Sequence, residues 1–337
     1  MRWKTLIVAL AVWGIWTSTA SAGGDLKIGS SGAQYLRIPV GSRGSAMGGS
    51  AVAFSEGVDA LYWNPAGAST LTNTDLLLSR HQYIADINVD YFAAARPIGE
   101  LGVMGVTAKV LSMGDEMITT TQSPDGTGET YSSSFAVVGL SFARTLTDRV
   151  AIGVNANLLY EKIAQQTASG IAVDVGFRYT PGWNNLTFGG VIKNLGPKMK
   201  YDGPGFDLNT PTGTDPNSLP HGTRSQSTAF EIPSYVQLGG AYKAIDAQKS
   251  IVNVTGTFQS NNFSQDEWRA GAEYSFDKKF FLRGGYVYSS QKDYLFGPTF
   301  GAGLSLNLGS TTLNLDYAWS QSDMFDNDQY FTLQLGF

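Results

Sequence analysis

Two neighbouring stretches decide the fold: RVAIGVNANLLYE at 149–161 and GIAVDVGFRYT at 170–180. In the second, Ile171, Val173, Val175, Phe177 and Tyr179 alternate with Asp174, Gly176 and Arg178. In the first, Val150, Ile152, Val154, Ala156, Leu158 and Tyr160 alternate with Asn155, Asn157 and Glu161. A period of two is the mark of a strand whose two faces meet different surroundings. Here one face is apolar and the other carries amides and charges. The pattern returns in Trp268, Ala270, Ala272, Tyr274 and Phe276 against Glu267, Arg269 and Glu273, and in Phe300 to Leu308 against Gly301, Gly303, Ser305 and Asn307. It returns again in Leu313, Leu315, Tyr317 and Trp319 against Asn314 and Asp316, and in Phe331, Leu333, Leu335 and Phe337 against Thr332 and Gln334.

Counted from Asp75 to the end, such segments number about fourteen, from 75–83 to 329–337, and even strand numbers are usual for bacterial outer-membrane barrels. The connections separate a barrel from a soluble sandwich. Every second one is short: Pro97–Glu100, Leu146–Asp148, Pro181–Asn184, Ala244–Lys249, Asp277–Lys278 and Gly309–Ser310. The others are mostly longer, and two are very long, Met113–Tyr131 and Leu195–Glu231. Tight turns at one end and long loops at the other is the asymmetry of a transmembrane barrel. It predicts both ends of the mature chain on the short-turn, periplasmic side. The Gly/Pro-rich loop 195–231 cannot bury enough apolar surface to fold alone, so it is either mobile or laid over the barrel mouth.

Composition agrees with a barrel. The 337 residues include 40 Gly and 12% aromatics but only 15% charged residues, against about 25% in ordinary soluble proteins. Mean hydropathy is −0.09, too polar for a bundle of membrane helices. The net charge of −5 gives no reason to expect nucleic acid as a partner, and without cysteine there is neither a disulfide framework nor a thiolate metal site. The N-terminus reads as a signal peptide over 1–22: Arg2 and Lys4, an apolar run from Thr5 to Trp16, and Ala20-Ser21-Ala22 before the cut. Its loss takes the net charge to −7. The run is shorter than the roughly 20 residues a helical span needs, and no later stretch of 18 apolar residues occurs.

Between signal and strands, 23–74 reads as a lead-in and a plug. LRIPVGSRGSAMGGSAVAFSEGVDALYWNPAGASTL (36–71) is built from Gly, Ala and Ser around Met47, Phe54, Leu61, Tyr62 and Trp63. Small residues let backbones approach closely, which suits a segment packed inside the wall. Asn64-Pro65 reads as a helix start, Asn as cap and Pro at the first helical position. The fold predicted is therefore all-β: an outer-membrane barrel of about fourteen antiparallel strands, 75–337, around an N-terminal helical and loop plug.

The plug also carries a resemblance. Arg37, Pro39, Gly41, Arg43, Met47, Gly48 and Gly49, followed by Asp59, Trp63, Asn64, Pro65 and Gly67 in DALYWNPAG, are similar to the opening of the PorV/PorQ family. NPAG recurs in the wider FadL-like group of barrels. The stretches 139–161 and 190–203 agree; 210–230 and the last hundred residues resemble the family less. The resemblance implies a non-enzymatic role in protein export, receiving secreted cargo released by type IX secretion. The FadL-like alternative is passive uptake of hydrophobic small molecules. Outer-membrane lipid, the barrel-assembly machinery, secreted cargo and other type IX components are the partners implied.

No catalytic site, cofactor or metal is expected. His81 and His221 are the only histidines. Ser79 beside His81 suggests an outer-membrane hydrolase, but i,i+2 spacing on a strand arises by chance, and an interfacial or lumen histidine is the plainer reading. Asp323, Asp326 and Asp328, and Pro124-Asp125-Gly126, lack the spacing and closing Glu of a calcium loop and read as solvated carboxylates. No phosphate-binding glycine motif is present. The lumen face carries Lys109, Asp174, Arg178, Lys193, Glu267, Arg269, Glu273, Arg283 and Asp316, either as a mutually paired interior that grips the plug through Arg37 and Arg43 or as a selectivity lining. Phe331, Leu333, Leu335 and Phe337 form a lipid-facing row with the ending of an assembly signal.

Overall fold

The computed structural model describes residues 30–85, 87–183, 185–211, 220–291 and 294–337. The expected signal peptide (1–22), the first part of the lead-in (23–29) and the middle of the longest loop (212–219) lie outside them. The strands among the described residues are β1 (Asp75–Gln82), β2 (Asn88–Pro97), β3 (Val103–Met117), β4 (Thr130–Thr147), β5 (Val150–Ile163), β6 (Gln166–Tyr179) and β7 (Leu186–Leu195). Then come β8 (Asp207–Pro211), β9 (Pro220–Arg224), β10 (Tyr235–Asp246), β11 (Ser250–Asn261) and β12 (Glu267–Phe276). The last four are β13 (Phe280–Ser289), β14 (Phe296–Leu308), β15 (Thr311–Ser322) and β16 (Asp328–Gly336).

Among the described residues, β1–β7 and β10–β16 close into one barrel of fourteen antiparallel strands, and β8 with β9 forms a separate hairpin. Strands adjacent in sequence are adjacent in the wall. β7 meets β10 across the hairpin, and β16 closes on β1 from Asp75↔Gly336 to Gln82↔Gln329. Closure pairs the backbone groups that an open edge would leave bare in hydrocarbon, where an unmet N–H or C=O costs several kcal/mol.

The alternation sets the two faces as expected. Ile171, Val175, Phe177 and Tyr179 are exposed on the outer wall while Asp174 is buried; Trp268, Tyr274 and Phe276 are outside while Glu267 and Glu273 are buried. Phe331 and Phe337 are exposed on the outer wall, and the Phe337 N–H donates to Thr74 O at 2.9 Å, closing the seam with the start of β1.

One expectation is corrected at the long-loop end. The predicted loop 113–131 is shortened at both ends by strand: β3 runs to Met117, β4 starts at Thr130, and Ile118 N–H bonds Glu129 O at 2.9 Å. At 15 and 18 residues, β3 and β4 exceed the roughly 9–11 that cross the hydrocarbon, so their hairpin stands above the rim. Above the membrane both faces meet water, so the ladder continues while the apolar alternation that reveals it disappears.

Deleting Phe337 removes the last residue of the outer row and one seam hydrogen bond. The expected result is depletion of the protein from the outer membrane and loss of fast migration of unboiled samples on gels. Normal membrane levels and unchanged heat-modifiable migration would refute this.

Candidate functional site

The segment before β1 fills the lumen. It contains a 3-10 turn at Gln34–Arg37, helix α1 (Ser42–Ala46), a 3-10 turn at Gly57–Asp59, helix α2 (Ala60–Trp63) and a 3-10 helix at Pro65–Thr70. Asn64 caps the last of these: its Oδ1 accepts from Ala66 N–H at 3.2 Å, with Pro65 in the first turn. The Asn64 amide also donates to Val52 O at 2.7 Å and to Phe177 O of β6 at 3.0 Å, so the cap is fastened to plug and wall together.

The segment threads the barrel from end to end. Ser31 pairs with Glu231 at the long-loop rim, and β1 starts at the opposite rim. The C-terminus lies on the short-turn side as expected; the first described residue, Ser30, is at the long-loop mouth, and the expected mature N-terminal end at 23–29 lies outside the described residues. Loop parity gives strand direction and carries no information about a segment that precedes the first strand.

The plug has two unlike faces. Toward β1–β6 it is apolar: Leu36, Val40, Val58, Ala60 and Leu61 form one core with Leu77, Val89, Ala93, Val103, Leu111 and Leu159, and with Met199 and Ile232 of the long loop. Toward β12–β16 it is charged. Arg43 grips Glu273 with two donors, Nε to Oε2 at 3.1 Å and Nη2 to Oε1 at 3.2 Å. Glu273 also accepts from Arg283 Nε at 2.7 Å, and Arg283 reaches Asp316. Arg37 Nη2 donates to Glu267 Oε1 at 3.1 Å, and Glu267 is shared with Arg269. Hydroxyls serve as further pegs. Thr332 accepts from Ser42 N–H at 2.9 Å, and Thr299 accepts from Gly48 N–H while donating to Ala46 O, both at 2.9 Å.

On the remaining side two lysines cap plug carbonyls. Lys109 Nζ donates to Tyr35 O at 2.8 Å and Ile38 O at 2.6 Å, and Lys193 Nζ donates to Tyr62 O at 2.6 Å. Arg178 pairs with Glu56 at the plug's half-exposed turn. Asp174 accepts from Asn194 N–H, Asn155 and Asn157, all on the wall. The wall residues singled out in the sequence thus all point inward, and most bear on the plug directly.

The alternation of large residues does not reveal the wall glycines. A Cβ on Gly153 would stand 2.3 Å from Ala66 N, one on Gly189 2.3 Å from Val52 O, and one on Gly285 2.2 Å from Gly48 N. These wall positions take glycine because plug backbone lies directly against them. The signal available in sequence is the recurrence of Gly at inward positions of strands, which weakens a strand unless something approaches it closely.

Above the plug lies a chamber of about 280 Å³. Tyr62 and Trp63 form part of its floor, Tyr235, Tyr294 and Tyr330 part of its walls, and Arg37, Glu267 and Arg269 its charged corner. Met47 and Phe54, two of the plug's large anchors, do not line it: Met47 is packed against the wall and the Phe54 ring lies 4.4 Å under the Arg43 guanidinium. The long loop is laid over the mouth. Met199 pairs with Phe230, Thr167 pairs with Asp202, and the Tyr201 hydroxyl donates to Glu161 of β5.

The histidines form no catalytic pair. His81 Nδ1 donates to Pro39 O of the plug at 3.1 Å, its Nε2 lies 3.4 Å from Asp328 Oδ2, and its ring stacks on Tyr330. Ser79 Oγ instead accepts from Thr332 at 2.9 Å and from Gly41 N–H at 3.3 Å. His221 is on β9, in the long loop. Asp328, expected as a solvated carboxylate, is 1% exposed because β16 begins there and turns it inward onto His81. Among the described residues no cluster of acids and histidines is arranged to hold a metal ion.

Two predictions follow from the plug's charges. Glu273→Ala strands the Arg43 guanidinium and leaves Arg283 with Asp316 alone, whereas Arg43→Ala leaves a carboxylate that retains Arg283. The glutamate change should therefore lower the unboiled-to-boiled transition temperature more, each costing on the order of 3–5 kcal/mol. Equal shifts would refute the shared role of Glu273. Burial pushes the plug's Asp59 carboxyl up to about 6, against the pull of Arg43, and its Oδ2 has no hydrogen-bond partner. A carboxyl raised in the folded state favours folding fully below its ordinary value near 3.8, and that contribution is lost as pH rises through about 6. Plug docking should therefore be tightest in mild acid. Asp59→Asn should flatten the profile and stabilise the plug above pH ~7, by at most about 3 kcal/mol; protease accessibility of 36–71 against pH measures it.

No curated protein matches the chain. Solved structures similar to it include a FadL homologue of Pseudomonas aeruginosa (11% identity, 89% of this chain and 98% of that one, TM-score 0.56). The toluene transporter TodX of Pseudomonas putida (14%, 87% and 96%, 0.53) and the toluene transporter TbuX of Ralstonia pickettii (14%, 88% and 97%, 0.51) are also similar. At such identities the likeness is one of fold, that of a closed outer-membrane β-barrel of the kind FadL-like proteins form. A family profile matches residues 14–336, and the chain belongs to that family, the uncharacterised protein family UPF0164.

Proposed function

We propose that this protein is a non-enzymatic outer-membrane channel for the passive uptake of hydrophobic small molecules. The observation that carries this reading is the aromatic chamber of about 280 Å³ between the long-loop mouth and the plug. Its volume suits a small organic molecule. Its tyrosines and Trp63 offer apolar faces with polar tips, and the Arg37–Glu267–Arg269 corner holds two cations to one anion, a place for the acceptor end of a guest. The structural neighbours support the reading: two are toluene transporters and one is a monoaromatic hydrocarbon channel. Passage then requires the plug to shift, because it fills the barrel below the chamber.

Protein export at the outer membrane, implied by the PorV/PorQ-like plug motif, becomes the second reading. What favours it is the β8–β9 hairpin, an exposed element on the long-loop side whose Arg224 pairs with Asp202 and Asp207. Loops on a rigid scaffold are common binding surfaces. Cargo and type IX components would be its partners. In both readings the outer row ending in Phe337 engages the barrel-assembly machinery.

The test uses proteoliposomes carrying the full mature chain and radiolabelled toluene. Ser264→Trp, which fills the chamber from its loop side, should cut uptake at least tenfold, and removal of 207–224 should leave it intact. Ser50 and Thr257 hydroxyls lie 3.0 Å apart across plug and wall, so a Ser50→Cys, Thr257→Cys disulfide should block uptake until reduced. Uptake insensitive to chamber filling, with cargo release lost on removing 207–224, would reverse the ranking.

A further inference from the structure

We propose that the lumen holds one small monovalent anion between Lys109 and Lys193. Both lysines are buried, at 5% and 4% exposure, and both line a cavity of about 40 Å³ that adjoins the chamber at Tyr62. Among the described residues neither forms an ion pair with a carboxylate. An ammonium has three donors. Lys109 spends two on Tyr35 O and Ile38 O, and Lys193 spends one on Tyr62 O while standing 3.8 Å above the Tyr62 ring. Three N–H donors are left over, and the Tyr91 hydroxyl, which also lines the cavity, is buried without a partner.

The one carboxylate lining the cavity is already engaged. Asp174 sits where the β6–β7 ladder slips: Val173 pairs with Leu195 but Val175 with Ile192, leaving Lys193 and Asn194 bulged out of register. Asn194 adopts a φ of 59°, and its freed N–H is taken by Asp174 Oδ1 at 2.8 Å. Asn155 and Asn157 donate to the other oxygen at 3.3 and 3.1 Å. The carboxylate thus repairs the bulge and does not bond either lysine. With both lysines protonated, two positive charges face one negative, and a single monovalent anion balances them. The volume exceeds the 10–15 Å³ or so that one water needs, enough for a halide-sized ion with a water and too little for a phosphate or an organic ligand. Asn155 Oδ1, which lines the cavity without a partner, would accept from that water. The site is separate from the chamber's Arg37–Glu267–Arg269 corner and does not depend on what the channel carries.

The probe is bromide, used on the full mature protein. Crystals grown in sodium bromide should show an anomalous peak in the cavity, in contact with both ammonium groups. The unboiled-to-boiled transition should also come at higher temperature in chloride or bromide than in gluconate at equal ionic strength. Lys109→Met and Lys193→Met should each abolish the peak and the anion dependence. Bromide crystals of the unaltered chain decide the matter even if a variant fails to assemble. Water density without an anomalous peak would overturn the proposal.

Discussion

Hydrocarbon offers no hydrogen bonds, and that constraint organises this structure. Every backbone group facing lipid must find its partner in the wall, so the sheet closes, β16 on β1 over eight residue pairs. Closure creates a lumen, and period-two alternation makes its lining polar because the outer face must be apolar. A polar lumen of fourteen strands is wide, and the chain fills most of it with its own N-terminal segment.

The filling is an exercise in matching. On the β1–β6 side the wall presents small and apolar residues, and the plug answers with Val40, Val58, Leu61 and alanines. On the β12–β15 side the wall presents Glu267, Glu273, Arg283 and Asp316, and the plug answers with Arg37 and Arg43. A lone charge there would be costly, so the plug arginines and wall acids specify one register of plug against wall. The glycines opposite Ala66, Val52 and Gly48 let the two backbones come together at all. Lysines that cap carbonyls and hydroxyls that bridge strands complete the interface, leaving the chamber as the larger space inside.

Loops at the long end add a lid. Met199, Tyr201 and Phe230 fold back over the plug's apolar side, with Tyr201 anchored on Glu161. The chamber lies beside these residues, lined in part by Ser264, Gln291, Tyr294 and Leu295 of the neighbouring loops.

Sequence alone determined the wall. Alternation is a local property, since adjacent side chains on a strand point to opposite faces whatever the partner strand, so strand number, inward residues and turn side could be read from Asp75 onward. Asn64-Pro65 was legible for the same reason, because a cap acts within two residues. Tertiary structure decided what no local rule covers. Which acid meets Arg43, that Asp328 turns inward to His81, that Asp174 repairs a bulge beside two lysines, and that the plug runs from the long-loop rim all depend on contacts between residues up to 290 apart in the chain. Those pairings are set by the geometry of the closed lumen, and nothing in the neighbourhood of either partner announces them.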